Sequence, residues 1–311
     1  MTEEHTTPLV TAIITAYNRP THLRSAVQSV LQQTYDNIEL VVVDDHSDIP
    51  AKHVLRDTDV TSLSNCNIVR HDENRGANAA RNTGITVASG EYLAFLDDDD
   101  QWLPKKLERQ VQAFETAEDI GVVYTGIRRS LPDDSEIEIP PPLEEEMTKA
   151  LLCQNVVGSM SVVMVRTDIA QSLPLDERFP CWADLEWFIT LSTETTFKRV
   201  PEPLVVYNCN SPERLSRDFE KANTGRQLFV TKFEPLAAAY GTLFQRKMRG
   251  WAAYRAGKSA FHAGLYERSR QLFVSAVISY PFEPKFGTYL FASLGGQQTH
   301  KLARLINGYR T

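Results

Sequence analysis

Nowhere in its 311 residues does the chain contain a run of about 18 uncharged apolar residues, the least that a membrane-crossing helix needs. Met1 to Pro8 includes two glutamates and no apolar stretch, so no secretory signal is expected there either. The four cysteines, Cys66, Cys153, Cys181 and Cys209, are widely separated and form no C-x-x-C pair. That pattern indicates neither a thiolate zinc site nor a disulfide framework, and a reducing, cytoplasmic compartment is expected. No G-x-G-x-x-G follows the first apolar run, and Gly257-Lys258-Ser259 lacks the earlier glycine of a phosphate loop. No serine lies in G-x-S-x-G, and the seven histidines form no H-E-x-x-H. Dinucleotide, P-loop, serine-hydrolase and zincin chemistries are all disfavoured.

What remains is ordinary globular composition, 42% hydrophobic and 23% charged, long enough for one large domain or two. The net charge of -7 is unevenly spread. Residues 1–224 hold 20 Lys and Arg against 37 Asp and Glu, whereas residues 225–311 hold 13 against 3. The two ends are therefore expected to face different partners.

Short β-rich apolar runs alternate with helical periodicity over the first 130 residues. Leu9–Thr15, Ile38–Val43, Asn67–Arg70, Tyr92–Leu96 and Gly121–Tyr124 read as strands; the segment after Pro20, Lys52–Arg56, Ala77–Val87 and Pro104–Thr116 read as helices. Continuous apolar strands in this order predict an α/β fold with a mainly parallel sheet and helices on both faces. Pro132–Glu146, rich in proline and acid, reads as a mobile connection, and Ser161–Val165 as a further strand. From about Pro212 the pattern is helical, and Ala260–Pro281 has the spacing of a single tetratricopeptide-like helix pair, read as a helical hairpin.

In parallel sheets ligands bind beyond the carboxyl ends of the strands. Here those ends are Ala16-Tyr17-Asn18, Asp44-Asp45-His46-Ser47-Asp48 and Asp97-Asp98-Asp99-Asp100. Four adjacent aspartates repel one another unless positive charge or solvent intervenes, and Asp97 and Asp99, at i and i+2, are placed to share a hard divalent cation such as Mg2+ or Mn2+. The competing reading is a solvated acidic turn. Asp45 has the chemistry to accept from a nucleobase or a ribose hydroxyl, against the alternative of an Asx-type turn closed by Asp44 or Ser47. Arg81, on the Ala-rich stretch after Asn74, is either a nucleotide contact or a solvated surface residue.

Together, TAIITAYNR (Thr11 to Arg19), SVLQQT (Ser29 to Thr34), ELVVVDDHS (Glu39 to Ser47), Asn74 to Gly84 and GEYLAFLDDDDQW (Gly90 to Trp102) resemble the successive signatures of family-2 glycosyltransferases. The resemblance is strong over residues 8–130 and weaker to residue 216. It implies a GT-A, Rossmann-like fold and an inverting transferase using a nucleotide-diphosphate sugar, the donor UDP-linked, with Mn2+ or Mg2+ as cofactor. By position, Thr15 and Tyr17 resemble residues lining the uracil, Asp45 the one bonding the base, and Arg81 a further nucleotide contact. Asp97-Asp98-Asp99 resembles the D-x-D diphosphate and metal site, with Asp99 the direct ligand beside Asp97. Ala183-Asp184-Leu185-Glu186-Trp187-Phe188-Ile189 resembles the base segment, leaving the base at Asp184 or Glu186. In Tyr207–Ser216, Asn210 stands where the family often has a histidine.

The implied division is a transferase domain over residues 1–216, with a nucleotide-binding part at about 8–130 and an acceptor part at about 150–216, followed by a basic helical region over 217–311. Two rivals stand beside it. A sugar nucleotidyltransferase would want a Gly-rich loop and a lysine near the first strand end, where Ala16-Tyr17-Asn18-Arg19 offers neither. A nucleotide-sugar or glycan-binding protein without transferase activity would be favoured by loss of the aspartates, which are all present. No nucleic-acid motif accompanies the basic tail. Arg246, Lys247, Arg249, Arg255 and Lys258 among Phe244, Trp251, Tyr254 and Phe261 have the composition of an interfacial helix, so contact with an anionic membrane surface carrying a lipid-linked saccharide acceptor is expected. The competing reading is that these aromatics are core.

Overall fold

The computed structural model describes residues 7–130, 136–208 and 218–295. The elements run β1 (Val10–Ala16), α1 (Pro20–Leu31), β2 (Ile38–Asp44), α2 (Ala51–Val54), β3 (Asn65–Arg70), α3 (Ala77–Val87), β4 (Tyr92–Asp97), β5 (Gln101–Trp102), α4 (Lys106–Phe114) and β6 (Ile120–Ser130). They continue with β7 (Glu136–Ile139), α5 (Met147–Cys153), β8 (Val163–Arg166), α6 (Thr167–Ser172), α7 (Ala183–Ser192) and β9 (Thr196–Tyr207). The chain then turns helical: α8 (Phe219–Ala239), α9 (Thr242–His262), α10 (Tyr266–Ser279) and α11 (Pro284–Leu294).

By packing, the chain forms two units that are not consecutive in sequence. One gathers Met1–Met147, Val156–Glu177 and Trp187–Ser211; the other gathers Thr148–Asn155, Arg178–Glu186 and Pro212–Thr311. This partition differs from a cut at residue 216, because residues 148–155 and 178–186 pack with the helices.

The first unit is built on a mixed sheet with the order β3-β2-β1-β4-β8-β6-β9-β5. Strands β3, β2, β1 and β4 are mutually parallel, as the alternating pattern predicts. β8 joins β4 and β6 antiparallel, β9 lies parallel to β6, and β5 pairs antiparallel with β9. Val10 to Ile14 are all buried, although successive side chains point to opposite faces, so helices cover both faces of β1. α3 seats on it so closely that a Cβ on Gly84 would lie 2.5 Å from Ile13 Cγ2. β7 and β9 both depart from the sequence reading. Residues 136–139 form β7, paired with β6, and the Tyr124 hydroxyl donates to Pro142 O at 3.1 Å, so the described part of this Pro-rich stretch is strapped to the sheet. β9 has no counterpart in the expected strands, because Pro201 and Pro203 lie inside it.

The helical unit packs α9 against α8 and α10, and α10 against α11. α9 and α10 form the expected hairpin, with Gly264 at φ +78° in the turn. The helices approach so closely that a Cβ on Gly257 would lie 2.7 Å from the Phe273 ring. The expected interfacial face on α9 is corrected here. Trp251, Tyr254, Phe261, Phe273 and Phe286 are the buried core of this unit, with Phe244 packed against it. Among the cations named with them, Arg255 places its guanidinium over Trp182 and Phe229, and Lys258 lies over Tyr254 and Tyr289.

Candidate active site

The carboxyl ends of β2, β1 and β4 meet at one edge of the sheet: Thr15 is in register with Val43 on one side and Asp97 on the other. A buried carboxylate stands at the turn after β2 and another at the turn after β4, Asp44 and Asp100. Asp44 accepts from the Ser47 and Ala51 amides at 2.8 and 2.9 Å and from Arg70 Nη1 at 2.6 Å, which shapes the β2–α2 turn. Burial pushes its carboxyl up, and these bonds outweigh burial and hold it below the ordinary range. The turn alternative weighed in the sequence thus belongs to Asp44.

Asp45, 4% exposed, takes a different load. Its Oδ1 accepts the Arg75 amide at 2.8 Å and lies 2.8 Å from His71 Nδ1, while Oδ2 accepts the Gly76 amide at 2.7 Å. His71 Nε2 in turn meets the Thr83 hydroxyl at 2.9 Å. Asp45 therefore builds the loop that starts α3. Tyr17, directly after β1, is 47% exposed, and Thr15 is half-buried.

Arg81 is not a solvated surface residue. Its Nη2 meets Asp97 Oδ1 at 2.5 Å, and its side chain is only 11% exposed. The aspartate run is a tight turn closed by the Asp100 amide on Asp97 O at 3.1 Å. Access alternates along it: the side chains of Asp97 and Asp99 are 27% and 21% exposed, that of Asp98 is 8% exposed, and Asp100 is buried. Burial pushes the Asp98 carboxyl up to about 7, against the pull of Arg19. Burial also raises Asp100 well above the ordinary range, aided by the charges of Asp97 and Asp99. Asp100 is held by the Ser161 hydroxyl at 2.6 Å and the Asn208 amide at 3.3 Å. Sequence reasoning asked for positive charge among these carboxylates and supplied a metal; in the structure two guanidinium groups stand there. The second is Arg19, whose Nη1 lies 3.0 Å from Asp98 Oδ1 and 3.2 Å from Asp99 Oδ2.

Arg19 and Ser161 were given no role by the sequence. The signal for Arg19 was its place directly after the first strand end; Ser161 had none, being 61 residues from Asp100. Among the described residues no group of three or more His, Cys, Asp or Glu gathers around a point that could hold a metal ion. The donor set fits a hard cation all the same, since the two carboxylates with solvent access are Asp97 and Asp99, and a divalent ion retains open positions for phosphate oxygens.

Asp184 and Glu186 lie in the first turn of α7, in the part that packs with the helical unit. Asp184 is half-buried and accepts from Asn155 Nδ2 at 3.0 Å. Glu186 is 2% exposed and is bound by Lys232 Nζ at 2.6 Å. Before them Trp182 holds φ +66°, rare for a bulky residue, edge-on to Phe229 with the Arg255 guanidinium over its ring. Residues 209–217, which contain Asn210 and Cys209, lie outside the described residues.

The profile described as Glycosyl transferase family 2 matches residues 11–172. An uncharacterized glycosyltransferase of Haemophilus influenzae is 26% identical over 225 residues, covering 71% of this chain and 74% of that protein. The Escherichia coli UDP-Glc:alpha-D-GlcNAc-diphosphoundecaprenol beta-1,3-glucosyltransferase WfaP is 38% identical over 113 residues, covering 35% of this chain and 42% of WfaP. Among solved structures, the mannosyltransferase PcManGT from Pyrobaculum calidifontis, in complex with GDP-Man and Mn2+, shares the fold with a TM-score of 0.59 at 18% identity, covering 97% of this chain and 88% of that one. With the profile spanning more than half of the residues and the sheet carrying its signatures on one edge, the chain belongs to glycosyltransferase family 2.

Proposed function

We propose that this glycosyltransferase moves a sugar, with inversion, from a UDP-linked donor to an acceptor hydroxyl. The observation that supports this reading best is the convergence at one sheet edge of Thr15, Asp45, Arg81, Asp97 and Asp99, with Tyr17 exposed beside them. Thr15 and Tyr17 face the base, Asp45 accepts its N–H, and Arg81 and Asp98 order the nucleotide side of the turn. Asp99 and Asp97 are the residues that would hold a divalent cation, which when bound supplies the positive charge that steadies the departing diphosphate. Asp184 is the base. It takes the acceptor proton as the acceptor oxygen bonds to the anomeric carbon and the bond to the diphosphate breaks. Glu186, held by Lys232, is a structural carboxylate in this reading.

Because WfaP acts on a diphosphoundecaprenol-linked sugar, we infer a lipid-linked saccharide acceptor presented at an anionic membrane surface. Among the described residues the helical unit exposes, besides Tyr240, Leu243 and Leu265, the large apolar side chains of Val274 and Ile278 on α10, Phe282 in the turn after it, and Phe291 and Leu294 on α11, with Arg268 and Lys285 exposed on these two helices. They take the place of the α9 face expected from sequence.

Incubation with a panel of UDP- and GDP-sugars and Mn2+ tests the reaction. UDP release is expected from one or more UDP-sugars, lost in chelator and in Asp99→Asn with the fold intact. Full activity of that variant in excess chelator overturns the metal assignment, and tight UDP-sugar binding with no release under any condition overturns the transferase reading.

A further inference from the structure

The turn between β1 and α1 is built to aim one side chain. Asn18 adopts φ +53°, donates its amide to Ser47 Oγ at 3.0 Å, and accepts the Asp48 amide on its carboxamide at 2.7 Å. Pro20 then begins α1, so Arg19 between them has little backbone freedom. Its guanidinium spans the two carboxylates of Asp98 and Asp99. It also borders a cavity of about 180 Å³ with Asn18, Ser47, Asp48 and Ile49.

The oxygen of Asp99 that Arg19 engages belongs to the carboxylate assigned to the cation in the preceding section. A guanidinium and a divalent ion compete for it, since each offers positive charge to the same lone pairs. A diphosphate arriving at this edge brings oxygens for which an arginine fork is the natural partner. We propose that Arg19 is an exchangeable counter-ion. It neutralises Asp98 and Asp99 while no donor is present and passes to the diphosphate when the donor arrives, so that cation binding and donor binding are coupled. The inference rests on the proposed function and adds to it a positioning residue with an effect of opposite sign on two ligands. In the free protein Arg19 opposes the cation; in the complex it supports the nucleotide.

The test uses the full chain, free Mn2+ read by electron paramagnetic resonance and UDP read by calorimetry, with no turnover required. For Arg19→Met, Mn2+ affinity without nucleotide is expected to rise about tenfold and UDP affinity with Mn2+ present to fall about tenfold, each the size of one charge-assisted hydrogen bond. By linkage, the factor by which UDP tightens Mn2+ shrinks correspondingly. Arg19→Lys, which retains the charge without the fork, falls between the two and guards against misfolding of the methionine variant. A variant that weakens both ligands makes Arg19 a structural residue and overturns the proposal, as does one that changes neither. If the wild-type chain binds UDP without any help from Mn2+, the metal assignment fails and carries the proposal with it. Mn2+-dependent UDP binding that is insensitive to position 19 leaves the metal assignment standing and removes only the exchange.

Discussion

Asp184 and Glu186 are two residues apart on one helix turn and chemically alike, and the sequence left both as base. Their surroundings separate them. Glu186 is buried against Lys232, 46 residues downstream, a pairing that no local pattern announces. Asp184 is half-buried and accepts from Asn155. Asp184→Asn is therefore expected to abolish transfer while leaving UDP affinity within about twofold of wild type, because a base acts on the acceptor. Glu186→Gln is expected to retain activity and lose about 1–2 kcal/mol of stability, the cost of weakening a buried charge-assisted bond. Transfer assays with calorimetry, and chemical denaturation, read the two; an active Asp184→Asn beside a dead Glu186→Gln places the base two residues on. Burial also changed Arg81, which an Ala-rich helix suggested as solvated and which instead turns inward to Asp97.

At the scale of elements, β1, β2 and β4 were legible because each is a near-continuous apolar run, and α1, α3 and α4 because each carries helical period. The third helix spans Ala77–Val87 as expected. β9 was illegible because prolines and charged residues interrupt it, and its place beside β6 depends on tertiary pairing. A device of the same kind lies at the opposite strand ends. Glu39 of β2 accepts from the Thr11 hydroxyl at 2.6 Å, the Ser89 amide and hydroxyl at 2.8 and 2.9 Å, and Asn65 at 3.1 Å. It thereby ties β1, β3 and the segment before β4 to one carboxylate. Burial pushes its carboxyl up, and those bonds prevail and hold it below the ordinary range. A depressed folded value means that the stabilisation is complete above the unfolded glutamate range, roughly 4.3, and is lost as pH falls through the folded value. Glu39→Gln is expected to cost about 2–3 kcal/mol at neutral pH, with the gap to wild type narrowing in urea melts below about pH 4. An equal gap at both pH values refutes the carboxylate's role.

At the scale of the whole molecule, the sequence located the charge asymmetry and the helical character of the last third but not what its aromatics do. α9 alternates cations and rings in a way that suits either a lipid surface or a core. Only the packing of Phe273 and Phe286, from helices further along, settles it as core. The membrane proposal then predicts that co-sedimentation with anionic vesicles at low salt falls at least several-fold in Ile278→Glu and Phe282→Glu, with little change in UDP affinity. Equal recovery with neutral vesicles ends it. A last consequence lies in the path of the chain, which passes between the two packing units at residues 147/148, 155/156, 177/178, 186/187 and 211/212. On the proposed reading, exchanging the tail at one junction leaves the stretch bearing Asp184 behind, stripped of Lys232, Phe229 and Arg255. Recombination of this chain has to carry three segments together, so shuffling at a single crossover is expected to yield inactive hybrids even where every signature motif survives.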